Sequence, residues 1–145
     1  MFILLKNKTE PIYDNTKNEI INIEEKKLTY ILPYNNINYL EINGLFENTL
    51  IEWAKQFCNK DKTFLDIGAH TGTYAISYAK YSKIVYAFEP QRKTYYALCG
   101  GVSLSNIDNI ICYNYGLGSK DQVGECILNI ISEDGGGSTL KDQPK

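Results

Sequence analysis

Residues 64–75 read FLDIGAHTGTYA, and the fold turns on them. An apolar run ends at Asp66, Gly68 and Gly72 follow, and the pattern then becomes helical. The stretch reads as a strand, a glycine loop and a helix start. Gly68 lets the backbone turn sharply and approach a ligand closely. Gly72 lets the helix start pack against the strand, and Thr71 is a candidate cap. The loop at the carboxyl end of a parallel strand is the usual ligand position in an α/β sheet. The helix start adds free amides.

Three ligand classes compete for such a loop. A phosphate-cradling P-loop needs GxxxxGK[ST], and no such lysine follows Gly68. A dinucleotide site wants GxGxxG, and the middle glycine is missing from Gly68-Ala69-His70-Thr71-Gly72. The third form is D-x-G-x-x-x-G, which Asp66 to Gly72 fits. It is the pattern of S-adenosylmethionine sites. A carboxylate at the strand end suits a ligand bearing an ammonium and a sulfonium, and it would repel a pyrophosphate. A second acidic residue, Glu89, ends the apolar run YAFEP, 21 positions after Gly68. An acidic side chain about 20 residues on accepts hydrogen bonds from ribose hydroxyls. S-adenosylmethionine and a dinucleotide share that ribose, so Glu89 alone does not separate them.

Outward from this junction the pattern is regular. Strands are expected over 63–67, 83–88, 110–115 and 124–131, with helices over 73–81 and 91–105. Gly100-Gly101 weakens the second helix. Strands alternating with helices mean a parallel α/β sheet. Upstream, 1–43 is β- and turn-rich, with β-favouring runs at 2–5, 27–32 and 38–42. Turns are expected at Glu10-Pro11, at Asp14-Asn15 and over 33–36. A helix is expected over 45–58, capped by Asn43, with Phe46, Leu50, Trp53, Ala54 and Phe57 on its core face. This divides the chain into a β-rich segment with a covering helix, 1–60, and a cofactor-binding half-domain, 61–145, forming one structural unit. The tail holding Gly135 to Thr139 reads either as a loop approaching the cofactor or as a connector.

The bulk numbers exclude several classes. A chain of 145 residues is one ordinary domain and can bury a sizeable core. A net charge of −2 argues against a nucleic acid held by bulk charge. The run Glu24-Glu25-Lys26-Lys27 is mixed in sign and reads as a solvated surface. Four cysteines without a CxxC pair, and a single histidine, argue against a metal site and read as reduced, buried thiols. MFILLKNK is too short an apolar start for a signal peptide, whose core takes roughly 7–15 residues. No run approaches the ~20 residues of a membrane helix. The expectation is a cytoplasmic protein with no membrane partner.

Four pieces in series carry a family resemblance: LDIGAHTGTYA at 65–75, VYAFEPQ at 85–91, NIDNIICYNYGLGS at 106–119 and GGGSTL at 135–140. In order and spacing they resemble the FkbM-type S-adenosylmethionine-dependent methyltransferases. The resemblance implies a Rossmann-like methyltransferase fold with a largely parallel sheet and a small N-terminal β-rich extension. It places Asp66, Gly68 and Gly72 at the methionine end of the cofactor, Glu89 at the ribose and Tyr115 near the adenine. Ala69 matches the family's small residue, and Thr71 belongs to the same cofactor-binding loop. His70 stands where asparagine is usual, and both can donate to a ligand.

The family's second half, with a KIDVEG-like block that helps form the acceptor side, is not seen, so the fold reads as truncated. In the complete fold the strand at 63–67 is central. Its far edge would then be open to self-association or to a partner chain. The implied activity is O-methyl transfer to a small-molecule or sugar hydroxyl, with the acceptor and the catalytic base unidentified. His70, the lone histidine, is a candidate for that base, but a hydrogen-bonding role in the loop is preferred. The alternative is a non-catalytic S-adenosylmethionine-binding module or one piece of a split enzyme. A nucleotide-dependent oxidoreductase is disfavoured by the failed GxGxxG.

Overall fold

In this computed structural model, residues 28–33, 37–132 and 136–140 are described in full, and 2–6, 13–14 and 19–20 by their backbone alone. The turns expected at 10–11 and over 34–36, Asn15, Gly135 and the charged run 24–27 lie outside the described residues.

Three strands form the central sheet. These are β5 (Thr63–Ile67), β6 (Ile84–Phe88) and β7 (Ile110–Tyr113), in the order β5-β6-β7 and all parallel. Two helices make the crossovers, α3 (Thr73–Tyr78) after β5 and α4 (Arg92–Leu104) after β6. Sequential parallel strands with right-handed crossovers place both helices on one face. The burial pattern agrees. Phe64, Asp66, Val85, Ala87 and Ile110 alternate with Thr63, Leu65, Ile67, Tyr86 and Ile111. On the first set lie the buried Val85, Ala87 and Ile110, while Leu65 and Ile67 of the second set are exposed.

The N-terminal part docks on the helices. β1 (Phe2–Lys6) pairs antiparallel with β4 (Thr29–Pro33), and β2 (Tyr13–Asp14) with β3 (Glu19–Ile20). β4 lies against α4 at Gly100 and Gly101. A Cβ on Gly100 would stand 2.6 Å from Ile31 Cδ1, and one on Gly101 would stand 3.1 Å from the Thr29 carbonyl. The glycine pair that weakens the helix by propensity is thus what lets a strand lie flat on it. Thr29 donates its amide to Ser105 Oγ at 2.7 Å, and the Tyr30 and Ser77 hydroxyls are 2.9 Å apart. Tyr30, Leu32 and Leu40 share one core with Ala75, Ile76, Val85, Ala87 and Leu98.

Several expectations need correction. The run 38–42 is not a strand but part of α1 (Ile37–Asn43). It buries only Leu40 and is closed by Gly44, which sits at φ 75 and donates to the Leu40 carbonyl at 3.0 Å. Asn43 does not cap the next helix; its side chain donates back to the Tyr39 carbonyl. That next helix, α2 (Asn48–Ala54), runs into a 3-10 turn, Lys55–Phe57. Its contact with the fold is centred on Ile51, whose carbonyl accepts from the Tyr78 hydroxyl. Trp53 is therefore not core but 58% exposed, and Phe46, Leu50 and Phe57 are exposed with it. The aromatic stripe pairs with itself instead: Tyr39 stacks on Phe46 and Trp53 packs edge-on to Phe57.

Downstream, Gly72 rather than Thr71 occupies the N-cap of α3, and no side chain caps it. α3 ends at Tyr78 and continues as a 3-10 turn, Ala79–Tyr81. Residues 124–131 form no strand. They hold a single bridge, Asn129 to Thr139, because no described strand offers them a ladder. The thiols are free but not buried: Cys58, Cys99 and Cys112 are half-buried and Cys126 is exposed. Burial and the adjacent Cys99 push Cys112 up to about 12. No helix among the described residues is long and apolar enough to cross a membrane.

Candidate functional site

The carboxyl ends of β5 and β6 carry the two acidic residues singled out in the sequence. Strand alternation points Asp66 toward the helix layer, where it is 8% exposed. Its Oδ2 accepts the Ala75 amide, in the first turn of α3, at 2.8 Å. Burial raises its carboxyl from 3.8 to about 6; the Ala75 hydrogen bond opposes that shift and the neighbouring Glu89 charge adds to it. Glu89 is 6% exposed and is held on both oxygens. Oε1 accepts the Gln91 amide at 2.8 Å and the Thr94 hydroxyl at 2.9 Å, and Oε2 accepts the His70 amide at 2.8 Å. Carboxylate oxygens have about four lone-pair sites, so this anchoring leaves acceptor capacity for a ligand.

The loop between β5 and α3 is fixed by backbone bonds. Gly68 and Ala69 both donate to the Phe88 carbonyl at 2.9 Å. Gly68 sits at φ 83 with open space where a Cβ would be, whereas a Cβ on Gly72 would stand 2.5 Å from Leu98 Cδ1. The first glycine keeps room clear and the second permits packing. His70 also adopts a left-handed backbone, φ 51. That is uncommon for a residue with a side chain and worth a functional look. Its Nδ1 is 3.4 Å from the hydroxyl of the buried Thr71.

A cavity of about 380 Å³ opens on this loop. Gly68, His70, Thr71, Thr73, Glu89 and Pro90 form one side. Leu32, Pro33, Leu40 and Phe46 face them from the N-terminal part, and Leu128, Gly136 and Ser138 close it from the tail. Of the sequence-derived candidates, the structure brings Gly68, His70, Thr71 and Glu89 to the cavity. Asp66 lies buried at the strand end beneath the loop, Ala69 is part of the core, and Gly72 packs on α4. Tyr115 lies beyond the end of β7, is 65% exposed and stacks on Tyr113, away from the cavity lining. The apolar wall was not legible as a site, since Leu32 and Leu40 look like any core leucine in sequence. The tail carried a signal, the GGGSTL likeness, and Gly136 and Ser138 do reach the cavity.

The residues fit a nucleoside carrying a cationic group. The open turn at Gly68 leaves space against the backbone, and no lysine or arginine among the described lining residues balances the buried carboxylates. A cation brought by a ligand would relieve the cost of their burial.

No family model matches the chain, and no curated protein sequence matches it. Solved structures do. TYW2 of P. horikoshii, in complex with MeSAdo, is 21% identical over 63% of this chain and 34% of that one, with a TM-score of 0.50. TYW2 of M. jannaschii, in complex with AdoMet, is 26% identical over 59% and 38%, at 0.46. An rRNA methylase from Streptococcus thermophilus is 20% identical over 47% and 41%, at 0.44. The chain thus spans about two fifths or less of the length of these three proteins. The likeness to the P. horikoshii structure, with the parallel β5-β6-β7 order, shows a Rossmann-like α/β fold.

Proposed function

We propose that this chain forms the cofactor half of an S-adenosylmethionine-dependent methyltransferase of the FkbM type, acting on the hydroxyl of a small molecule or sugar. The observation that carries the reading is the pair of buried carboxylates, Asp66 and Glu89, at the ends of adjacent strands around the open Gly68 turn. When bound, the cofactor would supply an electrophilic methyl group. The chain's own residues would bind and orient it. Glu89, fixed by Gln91, Thr94 and His70, would accept from the ribose hydroxyls. Asp66 would meet the ammonium, directly or through water. Leu32, Leu40, Phe46 and Leu128 would exclude water from the reacting end. A small acceptor, rather than a nucleic acid, is supported by the net charge of −2 and by this uncharged wall.

A second reading is a non-catalytic cofactor-binding module or one piece of a split enzyme. Calorimetric titration with S-adenosylmethionine, with NAD as control, tests both. Micromolar binding of the first alone, lost in Asp66→Ala and Glu89→Ala, is expected. A folded chain that ignores S-adenosylmethionine would sink both readings. Binding without transfer to any hydroxyl acceptor would favour the second.

A further inference from the structure

Two thiols meet away from the cavity. Cys99 lies in α4 and Cys112 in β7, and neither lines the cavity. Strand alternation puts Cys112 on the helix side of the sheet with Ile110, and it packs against the same core. On α4, Tyr95, Cys99 and Val102 fall on one stripe at helical spacing, and Tyr95 and Val102 pack on that core too. The Cys99 and Cys112 thiols share a hydrogen bond across the two layers, and the Tyr95 hydroxyl shares another with Cys99. Both cysteines are half-buried, so neither is sealed off from a small oxidant. β7 is an end strand, with β6 as its one ladder partner among the described strands.

We propose that Cys99 and Cys112 form a dithiol–disulfide couple, closed by a peroxide and opened by a thiol reductant, that staples α4 to the edge of the sheet. The contact between the two sulfurs selects this pair, since a disulfide needs its two Cβ atoms close together. Burial and the adjacent Cys99 keep Cys112 protonated, at about 12, and the thiolate is the attacking form of a cysteine. Cys99 therefore meets the peroxide first. Its sulfur attacks one peroxide oxygen, the O–O bond breaks, and Cys99 becomes a sulfenic acid as one water leaves. The Cys112 sulfur then displaces the sulfenic hydroxyl, which departs as water with the Cys112 proton. Two thiols lose two electrons and two protons, and one hydrogen peroxide becomes two waters. The link ties the helix whose first turn holds Glu89, through Thr94, to the neighbouring end strand.

The sequence makes the test direct. Tryptic cleavage after Lys93 and Lys120 leaves Cys99 and Cys112 on one peptide, with Cys58 and Cys126 on others. The full, folded chain is exposed briefly to limiting hydrogen peroxide, alkylated, digested and weighed by mass spectrometry. The peptide 94–120 is expected to become two hydrogens lighter and to carry no alkyl group, while Cys58 and Cys126 are still alkylated. Exposure alone would send the oxidant to Cys126 first. Treatment with dithiothreitol before alkylation is expected to restore two alkyl groups to 94–120. Cys112→Ser is expected to leave a sulfenic acid on Cys99 that dimedone captures, and the parent map stands without it should that variant not fold. The oxidised parent is expected to melt roughly 5–10 °C above the reduced one. Two alkyl groups on 94–120 after peroxide, or a link that forms first through Cys58 or Cys126, overturns the couple. A link between Cys99 and Cys112 that leaves the melting temperature unmoved or lowered overturns the staple.

Discussion

Asp66 holds a charge where its surroundings disfavour one. Its carboxyl is raised from 3.8 to about 6, first by burial and next by Glu89, against the pull of the Ala75 amide. The folded protein then binds this proton more tightly than the unfolded chain. Stability from this group is full below about pH 4 and is lost as pH rises from there through 6. Above pH 6 the cost is on the order of 2–3 kcal/mol, at about 1.4 kcal/mol per unit. Asp66→Asn removes the charge and keeps an oxygen for Ala75. It is expected to melt a few degrees higher than the parent at pH 7.5, with the gap closing by pH 4, and to bind S-adenosylmethionine weakly. Thermal melts at the two pH values check the sign; a variant that melts lower at pH 7.5 would show that the carboxylate is not the strained group. Asp66 and Glu89 were legible as a pair because strand ends and spacing are sequence properties. Their burial was not, nor was the placement of Tyr115, because where β7 stops depends on what pairs with it.

Among the elements, the regular βαβαβ run was legible almost to the residue. Its strands read as apolar runs between glycine and helix signals, and the parallel order follows from their alternation with helices. Of the N-terminal helices, α2 was legible as a helix within 45–58, but its covered face was not, and α1 was not legible at all. α1 is short and anchored by Leu40 alone, so its composition looked like a strand, and the stop signal at Gly44 decided otherwise. α2 shows a strong apolar period, yet the face containing Trp53 is turned outward and only Ile51 is fully covered. Periodicity reports that a face exists, not what covers it. α4 shows the reverse case. Propensity counts Gly100 and Gly101 as faults, each about 1 kcal/mol worse than alanine. Packing makes them a seat for β4. Gly101→Leu should gain helix propensity and still lose stability, by about 1–3 kcal/mol, since a side chain there meets Ile76 and the Thr29 carbonyl. Denaturant unfolding measures this. Unchanged or increased stability would mean that β4 does not bear on α4 in solution.

For the whole molecule, the described residues cover the sheet on one side only. Both crossover helices lie on the face of Val85 and Ala87. On the other face, Leu65 is 55% and Ile67 62% exposed. Phe88 and Tyr113 stack there with ring centroids 5.0 Å apart. β5 is also an end strand, so one row of its amides and carbonyls has no ladder partner among the described strands. Parallel sheets are stable when both faces are covered, and an apolar edge is a template for another chain. A second copy of this chain presents the same apolar face and the same edge, so in dilute solution it is the surface most available to cover the first. The purified chain is therefore expected to self-associate, with a mass by light scattering that rises with concentration over the micromolar range. Ile67→Lys places a charge on that face, at the carboxyl end of the end strand β5, without touching the buried set. It should shift the distribution toward monomer and leave the melting temperature of the monomer nearly unchanged, since surface substitutions usually move stability by less than about 0.5 kcal/mol. A parent chain that stays monomeric at every concentration would show that the apolar face is covered from within, and Ile67→Lys would then destabilise the fold rather than disperse it.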